Sequence, residues 1–466
     1  MSVIEVHPRH NTALDVVIAV AGINPSSAFA DVKDMDINAL RDIFDVNTFA
    51  FVRLFNAVYP LLKASASPPK LLAISSNASQ IVEMEPTIPV KVGVYGASKA
   101  ALNYLVRRAH FENPWLTFRN GGLKSGSYII NSVFGLGADR VLEWEVVTAG
   151  GQHLVASPVK NSDLYWALSD GGGGTYAAII SMTVRAHHLT KVSVATLNFT
   201  TSTNVSTDLF NSAVQTFLLT LPSLGEAGTW SSWLLATGVF SLRPIASPDL
   251  DKDQLQALLK PTLSFLDNNG IPYDYQIQQY STFLEAYTGM FPVDNITEYN
   301  IGGRLIPKSL LETNSSTASF LDAINFITSQ GGVVSGNSLD VSGFPSTGVN
   351  NSVNPVWRTT ILNIVFGLQV LPAYNACDFQ ANIALQNEIT NTLMPRLEAL
   401  TPSSRVYLNE GDFRDPNWKT NFYGANYASS LSIKDKYDPN SLFYGLTAVG
   451  SDRWTVQPDG RLCRTS

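Results

Sequence analysis

The apolar positions of this chain change period along its length, and the changes predict its elements. "DVVIAVAGI", from Asp15, is a short continuous apolar run closing on glycine, the pattern of a buried parallel strand that runs into a loop. "INALRDIFDVNTFAFVRLFNAVYPLLKA", from Ile37, spaces its apolar residues at three and four and predicts a long amphipathic helix. "KLLAISSNAS" predicts a second buried strand and "YGASKAALNYLVRRAHFE" a second helix. Two strands alternating with two helices predict a parallel α/β arrangement for residues 1–118. Beyond Ser132 the pattern turns to period two. "FGLGADRVLEWEVVTAGGQHLVASP" alternates through two runs joined by "AGG", which predicts an antiparallel hairpin. "NSDLYWALSDGGGGTYAAIISMTVRAH" predicts a short helix, a four-glycine turn and a strand. "DKDQLQALLKPTLSFLDNN" predicts a helix in a region punctuated by Gly, Pro and Asn.

Composition narrows the classes. With 466 residues, 45% of them hydrophobic, the chain has material for two or three cores. A net charge of −7 without long Lys/Arg runs argues against a nucleic-acid partner. The longest apolar runs fall short of the roughly 20 residues that span a bilayer, so no membrane segment is expected. "MSVIEVHPRHNTALD" lacks the basic start and apolar core of an export signal, while Asn-x-Ser/Thr triplets at Asn198, Asn204, Asn295, Asn314 and Asn350 hint at a secreted ancestry. Cys377 and Cys463 are enough for one bridge only. The six histidines show no metal-ligand spacing, and His187–His188 reads as a strand cap; no metal is expected.

Candidate chemistry begins with Tyr95 and Lys99, four apart and so on one helix face, where an ammonium would stabilise a phenolate able to exchange a proton with a carbonyl. Together with "AVAG" at Ala19–Gly22, Asn47 in "DVNT" and Ser76 in "ISS", these residues resemble the short-chain dehydrogenase/reductase family. The resemblance implies Tyr95 as proton donor, Lys99 as its tuner, Ser76 as substrate clamp and Asn47 as part of a proton relay. NAD(P) binding is not expected, because no Gly-rich strand–turn–helix precedes Val16 to receive a pyrophosphate. Residues 1–118 are read as a truncated Rossmann-like fragment.

The four glycines from Gly171 keep company with "GADRVLEWEVVTAGGQHLVA", "GGRLIP", "VNPVWR", "VYLNEGDFRDPNW", "FYGANY", "KYDPNSLFY" and "DGRLCR". In that order these motifs resemble the berberine-bridge-enzyme-like, FAD-linked oxidases of the vanillyl-alcohol-oxidase superfamily, especially its fungal branch. The resemblance implies α/β plus α+β architecture: an incomplete FAD-binding domain of the PCMH type with an inserted antiparallel-sheet substrate domain. Its parts would be a second FAD subdomain at 132–189, the substrate domain at 190–405, and a segment at 406–466 returning to the flavin. It further implies Tyr407 as catalytic base, Asn409 and Asn426 as flavin contacts, Tyr423 as a wall of the site, and Gly171, Gly172, Gly173 and Tyr176 along the cofactor. Asp170 stands where the family has Gly, Ala177 replaces a Gly, and Ser429–Ser430 replace Arg-Leu; each is expected to weaken FAD binding. The family's Arg-x-Gly-Gly-His stretch and its linking His and Cys have no counterpart here, so FAD is expected to be held non-covalently or lost.

The stretch "NPWLTFRNGGLKSGSYIINS" resembles neither family, and residues 119–131 are read as a junction left by fusion, deletion or mistaken gene reading. Three functions compete. One is an FAD-dependent oxidase of an alcohol, carbohydrate or secondary metabolite, impaired at its cofactor grip, with a small-molecule substrate and molecular oxygen as partners. The others are an NAD(P)-dependent reductase and a non-catalytic fusion remnant.

Overall fold

In the computed structural model, β1 (Val16–Ala19) pairs in parallel with β2 (Lys70–Ala73), as the two apolar runs predict. β2 also pairs in parallel with β3 (Thr117–Asn120), which corrects the two-strand reading. Thr-Phe-Arg-Asn has no alternation to announce it; its four residues are a strand because β2 offers them an edge. The structure describes residues 16–19, 23, 31–65, 69–73, 93–113, 117–120, 131–172, 174–185, 191–290, 299–344, 350–369, 376–457 and 461–465. It divides into two units, Met1–Gly126 and Ser127–Ser466.

In the first unit the long helix forms as one rod: Ile37–Phe44, a π turn over Asp45–Phe49, then Ala50–Lys63. Asp36 starts it by accepting a hydrogen bond from the Asn38 N–H. Its apolar stripe, Phe51, Val58 and Leu62, packs on Leu71 and Ala73 of β2 and on Leu102 and Val106 of the helix Gly93–Glu112. The wider π turn directs Asn47 and Thr48 inward.

The second unit opens with a three-stranded antiparallel sheet. The expected hairpin forms from β4 (Val141–Thr148) and β5 (His153–Ala156), and β6 (Ala177–Val184) pairs on the other side of β4. The helix Ser162–Leu168 buries Leu164, Tyr165, Ala167 and Leu168. A larger antiparallel sheet follows, built from β7 (Val192–Thr200), β8 (Trp230–Ala236), β9 (Val239–Ser247), β10 (Tyr273–Tyr280), β11 (Tyr299–Pro307), β12 (Val333–Ser338) and β13 (Thr360–Gln369). Its spatial order is β10-β7-β9-β8-β12-β13-β11. The helices Thr207–Glu226, Lys252–Asn268 and Asn314–Ser329 share its apolar core. Each starts at a side-chain cap, from Ser206, Asp251 and Thr313. Phe199, Phe217, Phe240 and Trp233 stack within that core, and each is buried. Gly336 of β12 is opposite Trp233, where a Cβ would come 2.2 Å from the indole ring.

A short hairpin of β14 (Trp454–Val456) and β15 (Leu462–Arg464) ends the described chain. The Cys463 thiol there is free, which corrects the single-bridge reading. Among the described residues no helix is long and apolar enough to cross a membrane, and no cluster of His, Cys, Asp and Glu could hold a metal. The histidine pair and Ser76 lie outside the described residues.

Candidate functional site

The tail of the second unit returns to the large sheet just before Tyr407. Leu305 of β11 donates its N–H to the Arg405 carbonyl, and Val406 donates to Asn421, which holds the strand-like entry to the turn Leu408–Glu410. Gly303 in "GGRLIP" makes that approach possible, because a Cβ there would come 2.4 Å from the Glu410 carbonyl oxygen. Tyr407 is half-buried, with its ring edge-on to Trp357 at 5.4 Å. Asn409 is exposed, and its amide donates to the Tyr407 phenol oxygen at 2.7 Å. The two residues of Tyr-x-Asn therefore form one polar unit, with an N–H aimed at the oxygen where negative charge would develop.

The glycine turn comes up to Leu408, the residue between Tyr407 and Asn409. Gly171 donates its N–H to Ala167, and a Cβ at Gly171 would lie 2.3 Å from the Ala167 oxygen and 3.0 Å from Ser352 Oγ. Its bare Cα is thus required by the protein's own close packing. Gly172 adopts φ +105°, and the space beside its Cα is bordered by Thr175 Oγ1, the Tyr423 hydroxyl and Leu408. Tyr176 is sealed in the core and donates its hydroxyl to the Gly171 carbonyl at 2.9 Å. Burial pushes its phenol well above the ordinary range. Tyr423 is also buried and donates to the Thr447 carbonyl at 3.0 Å. Gly173 lies outside the described residues.

A third segment, "NSVNPVWR", locks these pieces together. Ser352 donates to the Ser169 carbonyl at 2.8 Å, and the Asn426 amide donates to the carbonyls of Ser352 and Val353 at 3.0 and 3.1 Å. Arg358 makes a two-pronged ion pair with the buried Asp139, at 2.9 and 2.7 Å, and Asn351 donates to the same carboxylate. On the far side of the glycine turn, Lys434 donates to the Thr175 and Phe443 carbonyls and pairs with Asp438 at 2.6 Å. Residues 171, 172, 408 and 423 therefore converge, with Tyr407 and Asn409 next to Leu408 along the chain, and Asn426 joins through Ser352. Trp357, Ser352, Glu410 and the Lys434–Asp438 pair have no role in the sequence reading. An i,i+4 Lys–Asp spacing was the one signal available for the last.

Asp170 has φ +87°, a conformation that suits glycine. Burial, then the nearby Asp139, push its carboxyl up to about 7, with Arg358 acting the other way. Asp170 is nevertheless exposed, so water screens its carboxyl.

In the first unit, Tyr95 and Lys99 share a helix face, with the ammonium 5.9 Å from the ring centre. Lys99 is buried, and burial lowers its ammonium below the ordinary value. Asn47 accepts from the Ile23 N–H and donates to the Ile23 carbonyl and to Ser98 Oγ, so its amide ties the chain after β1 to the Tyr-Lys helix.

The family profile described as short chain dehydrogenase matches residues 2–114, and that described as Berberine and berberine like matches residues 406–449. The FAD-linked oxidoreductase sor8 of Hypocrea jecorina is 40% identical over 349 residues, which cover 74% of this chain and 59% of that protein. The FAD-linked oxidoreductase patO of Aspergillus clavatus is 39% identical over 342 residues, 73% of this chain and 59% of its own. The crystal structure of the VAO-type flavoprotein MtVAO615 from Myceliophthora thermophila C1 superposes with a TM-score of 0.67 at 37% identity, covering 73% of this chain and 62% of that one. The chain thus spans about three-fifths of the length of the relatives it matches. Over its last three quarters it resembles the berberine-bridge-type, FAD-linked oxidoreductases of the VAO kind, and over residues 2–114 the short chain dehydrogenases.

Proposed function

We propose that the second unit serves an FAD-linked oxidation of an alcohol, in a carbohydrate or a secondary metabolite, with Tyr407 as the base. The supporting observation is the hydrogen bond from Asn409 to the Tyr407 oxygen, made by the two residues that flank Leu408, whose side chain borders the glycine turn beside Tyr423. A flavin ring would lie on the side where Asn409 is exposed. Asn409 and the Asn426 segment would hold it. When bound, a flavin supplies the acceptor for the hydride of the substrate carbon, and oxygen takes the electrons onward.

Tyr407 takes the proton of the substrate hydroxyl, Asn409 stabilises the charge gained, and Trp357 keeps the phenol ring from turning. The Asp170 carboxylate opposes an anionic cofactor, so affinity for FAD is expected to be weaker than in a chain with glycine there.

Titrating purified protein with FAD, followed by flavin fluorescence and absorbance, tests the cofactor. Tyr407→Phe tests the base: it should keep FAD affinity and lose roughly 10²- to 10⁴-fold in oxidation rate. No FAD uptake, or an unchanged rate in Tyr407→Phe, overturns the reading. A second reading, NAD(P)-linked carbonyl reduction at Tyr95 and Lys99, is favoured by their shared helix face. Quenching of NADPH fluorescence by the protein, lost in Tyr95→Phe/Lys99→Ala, would support it.

A further inference from the structure

Glu410 closes the turn that carries Tyr407 and Asn409, and its N–H donates to the Tyr407 carbonyl at 3.0 Å. Its side chain runs the other way, into the large sheet, where one carboxyl oxygen lies 2.5 Å from the Asn363 amide nitrogen. Asn363 sits on β13, next to the sheet's edge strand β11, and is buried. Its own amide oxygen is also buried and has no hydrogen-bond partner. A carboxylate, which only accepts, cannot supply one. A carboxylic acid can. Turning the amide over leads to the same conclusion: two oxygens would then stand 2.5 Å apart, a separation ordinary for O–H···O and repulsive between bare acceptors.

We propose that Glu410 is a positioning residue: as a neutral acid it gives its proton to the Asn363 amide oxygen while accepting from the amide, and this reciprocal pair moors the Tyr407–Asn409 turn to β13. The proposal rests on the reading of Tyr407 as the base.

The surroundings agree. Burial raises the Glu410 carboxyl, with the Asn363 hydrogen bond acting the other way. The charged groups on the elements around it have partners of their own. Arg304 of β11 donates to Thr401 through Nε and Nη2, while its Nη1 has no hydrogen-bond partner among the described residues and lies 3.9 Å from Glu398, and Asp412 is held by Gln386 and Thr390. β12 and β13 contribute no charged residue. The carboxyl of Glu410 is thus left to Asn363.

Glu410→Gln is the direct test, because its amide is permanently neutral and offers both the donor and the acceptor. A group raised in the fold stabilises it most below the unfolded value of 4.5, and that contribution is lost as pH rises through the folded one. Melting of full-length wild type and Glu410→Gln should therefore coincide near pH 4 and separate as pH rises, with Glu410→Gln the more stable at pH 9. Infrared spectra over a pH series should show a carboxylic-acid carbonyl band that persists above the pH at which an ordinary glutamate ionises and that Glu410→Gln lacks. Parallel melting profiles, or no such band, overturn the proposal. Neither measurement needs flavin, so failure of the oxidase reading leaves both intact. Should oxidation be observed, Glu410→Gln should keep it and extend it to higher pH, whereas Glu410→Ala should lose it.

Discussion

A single backbone angle at Asp170 joins stability to cofactor chemistry. At φ +87° an L side chain crowds its own backbone, whereas glycine sits there without cost. Asp170→Gly relieves that strain, and it also removes a carboxyl that the fold pushes up to about 7 from an ordinary value of 3.8. Because the folded value is the higher one, the contribution of Asp170 to stability is complete below about 3.8 and is lost as pH climbs through about 7. The side chain meets solvent, so water screens part of that cost, and a gain of about 1 kcal/mol or less is expected. Thermal melts at pH 5 and pH 8 should show Asp170→Gly above wild type at both, by more at pH 8. Asp170→Asn tolerates the same backbone without the charge and should keep the pH-dependent part alone. An Asp170→Gly protein that melts below wild type at pH 8 would show that the turn needs its carboxyl.

At the scale of elements, the helix Tyr427–Tyr437 is fastened to the glycine turn by one buried cation. Lys434 is 1% exposed, and burial lowers its ammonium while Asp438 acts against that shift. Lys434→Met would leave the buried Asp438 carboxylate with the Leu442 and Phe443 N–H groups but no counter-charge, and would take the ammonium from the Thr175 and Phe443 carbonyls, at a cost of about 3 to 5 kcal/mol. Urea unfolding of the full chain, read at the transition of the second unit, measures it; a loss under 1 kcal/mol would mean that water replaces the ammonium. Long periodic elements such as Lys252–Asn268, and the β4–β5 hairpin, are legible in the sequence because their own residues dictate them. β3 is not, since Thr117–Asn120 becomes a strand only against β2. The π turn that buries Asn47 leaves no mark on the apolar spacing of the rod. The site divides the same way: Tyr407, Asn409 and the glycines stand in quoted motifs, whereas Glu410–Asn363 and Arg358–Asp139 join residues far apart along the chain. No local pattern announces such pairs, because their energy comes from burial that only the finished sheet creates.

For the whole molecule, the two units raise the question of how many cooperative steps the chain takes. Each has its own apolar core: Phe51, Val58, Leu62, Leu71, Leu102 and Val106 in one, and the large cluster around Phe199, Phe240 and Trp233 in the other. A unit with its own core can lose its packing as one event, and the heat absorbed scales with the residues that unfold. Calorimetry of the full chain should therefore resolve a smaller transition from Met1–Gly126 and a larger one from Ser127–Ser466. Leu62 is fully buried, and Leu62→Ala leaves a cavity in the first core alone, costing about 2 to 5 kcal/mol. It should lower the smaller transition and leave the larger in place, while Lys434→Met should do the reverse. Saturating FAD gives the same partition a functional reading: a ligand that binds only the folded second unit raises only that unit's transition, by RT ln(1 + [L]/Kd). One merged transition that both substitutions move would show the chain to be a single cooperative body. If FAD instead raised the smaller transition, the cofactor would belong with the Tyr95–Lys99 helix and not with Tyr407.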